Sequence, residues 1–183
     1  MEFGLSRLKY QEGVNKMPEQ IREEAKEIEL QETQEAQEVH YPYVVRGATI
    51  YCTCGTHMRK LDMPVSHGSY IRDKAMMNKT DCKVGIDQNI PPFGACHSQE
   101  KDGIDIIIND PKDLVPFTDE EGNPIEPSLP IEGKLCEPKL EEEWLDTQEK
   151  TLVDGEPALA VNSTITCCYG GVIGFMDAGQ EVY

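Results

Sequence analysis

Short glycine- and proline-bearing phrases, several with a cysteine inside them, constrain this chain more than anything else in it. They are VVRGATIYCTCG with Cys52, PPFGACHS with Cys96, KLCEP with Cys136, and TITCCYGGVIGFMDAGQ with the adjacent pair Cys167 and Cys168. Glycine is placed where the backbone needs positive φ or a close approach, and proline fixes φ and removes a donor. The 15 glycines and 12 prolines, punctuated in this way, favour turns and short strands over long helices. It predicts short strands between fixed corners, hence a mostly β domain. Hydrophobic content of 38% with only 7% aromatic residues leaves that domain a modest core.

Three segments follow from the pattern. Residues 1–40 form an acidic leader. Within it Pro18 takes a first-turn position, and Ile21, Ala25 and Ile28 recur at helical spacing, which predicts a helix over 17–39. The stripe is too thin to hold a helix alone, so the segment either docks on a partner or frays. His40-Tyr41-Pro42 marks the boundary, and residues 41–183 form the β-rich domain. Inside it, residues 99–149 are acidic and broken by Pro111, Pro116, Pro124, Pro127 and Pro130, which reads as an irregular connection. Only Ile104–Ile108 in that stretch looks like a strand. Elsewhere strands are expected around 43–45, 48–51, 155–161, 163–166 and 172–175, with a short extended piece in 83–90.

The formal charge of −17 argues against a nucleic-acid partner and against adsorption to anionic lipid. No apolar run reaches the roughly 18–20 residues of a membrane span, and the first residues lack an apolar signal stretch, so a cytoplasmic protein without a membrane anchor is expected. Cysteine numbers seven, an odd count that does not suit a disulfide framework. Buried free thiols and a zinc–thiolate site remain. On a strand, Cys52 and Cys54 would point to one face. The adjacent Cys96 and His97 would point to opposite faces, which speaks against a nucleophile–base pair. With no phosphate loop, Gly-x-Ser-x-Gly elbow or His-Glu-x-x-His helix present, no enzymatic activity is expected.

Taken in order, VVRGATIYCTCG, NIPPFGACHS, LCEP, GEPALAVNST and CCYGGVIGFMDAGQ resemble the PAAR-like spike-tip family of bacterial contractile injection systems, over about Val44 to Gln180. The resemblance implies a small conical β-domain that caps a trimeric VgrG-like spike, one copy per trimer. It would sharpen the spike of a type VI or phage-tail-like particle for membrane puncture and offer a place to attach effector or baseplate proteins. It implies a protein held in the cytoplasm until assembly and then delivered outward at the particle tip. Metal near the point is typical of PAAR proteins, usually through histidines and a cysteine. Here the cysteines fill the matching phrases, so the implied ligands are Cys52, Cys96, Cys136 and Cys168, with zinc ahead of iron as the ion. Cys54 and Cys167 look additional, and His57 and His97 remain open as ligands. Two other classes compete: a free-standing zinc-binding adaptor that works through its acidic segments, and a thiol-redox enzyme with an accessible low-pKa cysteine.

Overall fold

The computed structural model describes residues 40–180, apart from 111, 119–123 and 126–127. The leader helix expected over 17–39 and the turn expected at 119–123 lie outside the described residues. Two units separate at His40/Tyr41. Among the described residues there is no helix. The strands are β1 (Thr49–Cys52), β2 (Arg59–Lys60), β3 (Tyr70–Ile71), β4 (Lys74–Ala75), β5 (Ala95–Cys96), β6 (Asp105–Ile108), β7 (Phe117–Thr118), β8 (Pro124–Ile125), β9 (Ile131–Leu135), β10 (Gln148–Val153), β11 (Glu156–Ala158), β12 (Ile165–Thr166) and β13 (Val172–Phe175). The described residues adopt the predicted β architecture of short strands.

Two small sheets matter for the site. One runs β12-β13-β1-β2, all antiparallel, with Tyr51 opposite Gly174 and Cys52 opposite Ile173. The other runs β5-β9-β6, with Cys96 opposite Lys134 and Ile106 opposite Gly133. The acidic stretch 99–149 is therefore more than a connection. It supplies β9, the middle strand of that sheet. It also supplies Trp144, which is buried, stacks on Phe175 at 4.9 Å and donates its indole N–H to the Asp81 carbonyl. Charge and proline hid this, because β9 is only five residues long and alternates apolar with polar side chains. The extended piece expected in 83–90 is a tight excursion instead, closed by one bridge between Val84 and Ile90.

The core is built from Ile50, Leu61, Met77, Ile90, Phe93 and Leu159, all fully buried. Hairpins turn on left-handed residues. Arg72 and Asp73 have φ of 50° and 65° between β3 and β4, and Asp154 and Gly155 have 55° and 85° between β10 and β11. Positive φ at both central residues is the primed-turn geometry that matches strand twist.

The phrase Met176-Asp177-Ala178-Gly179 closes the end of the domain on its beginning. Asp177 Oδ1 accepts the N–H groups of Thr49 at 3.1 Å and Gly179 at 2.8 Å. Gly179 has φ +72°, and a Cβ there would stand 2.6 Å from the Ala48 nitrogen, so only glycine fits. Burial works against the Asp177 charge, but the Thr49 hydroxyl and N–H, the Gly179 N–H and the Lys60 ammonium hold the carboxyl below its ordinary value of 3.8. A carboxyl depressed by folding contributes stability in full above its unfolded value and loses it as pH falls through the lower folded value. Asp177→Ala is accordingly expected to cost about 1–3 kcal/mol at neutral pH, by leaving two N–H groups without their acceptor. It should also make the loss of stability below the unfolded pKa shallower. Urea midpoints measured across acid and neutral pH check both.

A thiol cluster as candidate functional site

Four separated segments turn at the same place, and each brings cysteine with it. β1 ends at Cys52. The chain then turns through Thr53 and Cys54, with the Gly55 N–H on the Cys52 carbonyl at 2.9 Å. Cys52 and Cys54 therefore share a neighbourhood because of a turn, and not by strand alternation as expected from the sequence. Gly55 pairs with Cys96 at the end of β5. A Cβ on Gly55 would lie 2.6 Å from the Phe93 Cβ and 3.3 Å from the Cys136 Sγ, so the missing side chain lets the turn lie against that thiol. Cys136 directly follows β9. Its N–H reaches the Gly94 carbonyl at 2.7 Å and its carbonyl takes the Phe93 N–H at 2.8 Å.

The fourth segment is Cys167–Gly171. It closes on itself through Cys167 N–H to the Gly171 carbonyl at 2.7 Å and Gly170 N–H to the Cys167 carbonyl at 2.8 Å. A Cβ on Gly171 would meet the Cys52 Sγ at 2.8 Å and the Cys54 Sγ at 3.5 Å. Gly171 is thus the lid over those two sulfurs. The Lys139 N–H donates to the Cys167 Sγ at 3.4 Å, and the Lys139 carbonyl accepts the Cys168 N–H.

The electrostatics link the sulfurs into a set. The Cys136 thiol donates to Cys52. That bond, opposed by burial and aided by the N–H groups of Cys54 and Gly55, pulls the Cys52 pKa down to about 7. Cys136 moves the other way, because its proton is engaged by Cys52, its site is buried, and the Cys52 and Cys96 sulfurs lie close. Burial raises the Cys54 thiol first, and the charges of Cys52, Cys96 and Cys167 raise it further. Cys52, Cys54, Cys96 and Cys136 therefore act on one another's charge, and Cys167 acts on Cys54.

Of the ligands implied by the sequence phrases, Cys52, Cys96 and Cys136 come together and are buried. Cys168 does not join them. It is exposed, and its thiol, raised first by desolvation, lies beside the Glu141 carboxylate. Cys82 is next to Asp81 and near Glu143. His57 Nδ1 pairs with the Thr56 hydroxyl at 2.8 Å. His67 lies between Asp81 at 3.0 Å and Asp154 at 3.5 Å. His97 is exposed, while its N–H holds the Cys54 carbonyl at 2.8 Å. Sequence reading placed Cys54 outside the implied ligands; the Cys-x-Cys-Gly spelling was the signal for a turn that gathers both sulfurs.

The donor set fits a soft ion by its chemistry, since it is all thiol and carries N–H···S bonds of the kind that stabilise thiolate. Among the described residues no group of three or more His, Cys, Asp or Glu stands ready-made to hold a metal ion, and the thiols are instead paired with one another by hydrogen bonds. Metal binding to such a set releases the protons that those bonds now hold.

A protein family described as a domain of unknown function (DUF4280) matches residues 44–180. The chain belongs to that family. The match spans every cysteine of the cluster and both sheets that carry it. No curated protein and no solved structure matches the chain. Among the described residues no helix is long and apolar enough to cross a membrane.

Proposed function

We propose that this member of the DUF4280 family is a non-enzymatic, PAAR-like tip protein that caps the trimeric VgrG-like spike of a contractile injection system. The observation that carries this reading is the gathering of cysteines, brought from four distant segments to the corners where those segments turn. A tip is narrow and cannot rely on a large core. A domain of two- to six-residue strands fastened at one set of corners answers that need in a way that an open catalytic cleft does not. A metal at the cluster, zinc ahead of iron, would be held by Cys52, Cys96 and Cys136 with a further thiolate, and would act as a structural staple.

The sheets also offer edges. β6 lies at the margin of its sheet and carries the exposed Ile104 and Ile107 beside it and on it. Unpaired edges of this kind are what a cap uses to continue another chain's ladder. In this reading the protein waits in the cytoplasm, assembles onto the spike and leaves at its point. Residues 1–40 serve as an adaptor for an effector or a baseplate chain.

The test is co-purification of the full chain with the trimeric spike protein of its own system, beside a variant lacking residues 1–40. The deletion is expected to keep the spike contact and the unfolding midpoint, since the β-rich unit makes the contact. Loss of spike binding on deletion would move the contact to the leader. No binding by the full chain would remove the tip reading.

A further inference from the structure

We infer that the outer edge of β6 takes up an extended segment of another protein, an apolar strand flanked by lysine or arginine, and adds it to the β5-β9-β6 sheet. Among the described residues β6 pairs with β9 alone. The ladder shows which of its backbone groups are spare. The Leu135 N–H donates to the Ile104 carbonyl at 2.8 Å, in register with Ile106 opposite Gly133 and Ile108 opposite Ile131. One residue on, the Cys136 N–H reaches the other way, to the Gly94 carbonyl just before β5. Bonded and non-bonded pairs alternate along an antiparallel ladder. Ile104, Ile106 and Ile108 therefore turn their N–H and C=O groups toward β9. Asp105 and Ile107 turn theirs to the outer side.

Those groups lie in a run of isoleucines, which hold an extended backbone ready for pairing. Ile104 is 70% exposed and Ile107 62%, so apolar side chains flank the spare backbone groups. Natural sheets usually blunt such an edge with lysine, proline or a bulge. Charge decides what fits here. Asp102, Asp105, Asp110 and Glu132 are all exposed around β6, and Glu132 stands directly opposite Ile107. Lys134, opposite Asp105, is held by that carboxylate at 2.7 Å. A second copy of this chain would set the same acids against these and bring a further formal charge of −17. A strand with an apolar side chain beside Ile107 and cations toward Asp105 and Asp110 meets opposite charge, and specificity in strand addition comes from such side-chain matches. The edge would take this strand whether or not the chain caps a spike.

The probe is a labelled peptide that alternates valine and threonine between terminal lysines, titrated with the full chain and followed by fluorescence polarisation. Saturable binding is expected, about tenfold tighter than for the same peptide with glutamate in place of the lysines, and weaker as salt is raised. Hydrogen exchange should slow on binding at the Asp105 and Ile107 amides, which face outward. Ile107→Pro removes an outward N–H and leaves the β6–β9 bonds intact, at an edge position that tolerates proline. It should keep the unfolding midpoint and weaken peptide binding by about tenfold or more. If Ile107→Pro unfolds, Ile107→Lys, which changes only an exposed side chain, should show the same loss. Wild-type binding by both variants, equal binding of the two peptides, or no binding of either by the wild-type chain overturns the inference. A concentration-dependent dimer that Ile107→Pro dissolves, measured by sedimentation, would make the occupant a second copy and overturn it as well. None of these outcomes involves the spike protein, so the tip reading stands or falls separately.

Discussion

Phe93→Ala is expected to lower the unfolding free energy by about 3–5 kcal/mol, the range for emptying a fully buried aromatic site. Phe93 is 0% exposed, so the loss is that of a filled core site. Its carbonyl takes the His57 N–H at 3.0 Å, its N–H holds the Cys136 carbonyl at 2.8 Å, and its Cβ is the surface on which Gly55 rests. Alanine keeps those backbone bonds and the Cβ, so the expected loss is that of the buried ring, at a residue whose backbone joins the His57 segment to the start of the Cys136 segment. Guanidinium unfolding of Phe93→Ala gives the size of the effect. Faster labelling of Cys136 in the folded variant would show that the loosened core reaches the thiols. Phe93→Leu, closer in volume, should cost below about 1.5 kcal/mol and leave Cys136 protected.

Cys136→Ser is expected to remove the bound metal and, with it, the stability that the metal confers. A ligand that binds only the folded chain stabilises by about 4 kcal/mol when present at about a thousandfold its Kd, which for a chain of this size is roughly 8–16 °C of melting temperature. The substitution itself is mild, because serine keeps a donor for the Cys52 sulfur. In the presence of a chelator, wild type and Cys136→Ser should therefore melt within a few degrees of each other, and only without chelator should they separate. Equal melting in both conditions, with metal retained in the variant, would take Cys136 out of the donor set. A large difference that persists with chelator would mean that the Cys136 thiol supports the fold by packing alone.

The corners of this fold were legible because glycine leaves a mark in the sequence wherever a Cβ would collide. Gly55, Gly94, Gly171 and Gly179 each stand within 3 Å of another atom once a Cβ is built, and each lies in a phrase that the sequence singles out. Strand alternation was a poorer guide at Cys52-Thr53-Cys54, where Gly55 draws the chain into a turn after Cys52. β9 was missed because its short alternation, Ile131-Glu132-Gly133-Lys134-Leu135, is buried among acidic residues and prolines whose local signals favour irregular chain. Its pairing with both β5 and β6 is a long-range fact that no window reveals. The hairpin at Asp154-Gly155 carries a readable turn signal. The one at Arg72-Asp73 is harder to read, since Arg is an unusual choice for positive φ. Adjacent cysteines pose the hardest case. Nothing in Cys167-Cys168 says which sulfur faces inward; that is decided by the hydrogen bonds between Lys139, Cys167 and Gly171.

The central claim is that one copy of this chain closes a three-fold spike. Native mass spectrometry of the complex between the full chain and the trimeric spike protein of its system tests that claim most directly. The account predicts a single assembly containing one copy of this chain for every three spike chains, stable as the concentration of free chain is raised. An assembly with three copies per trimer, or no assembly at all, would contradict a tip and return the protein to the class of metal-binding adaptors that work through an acidic surface.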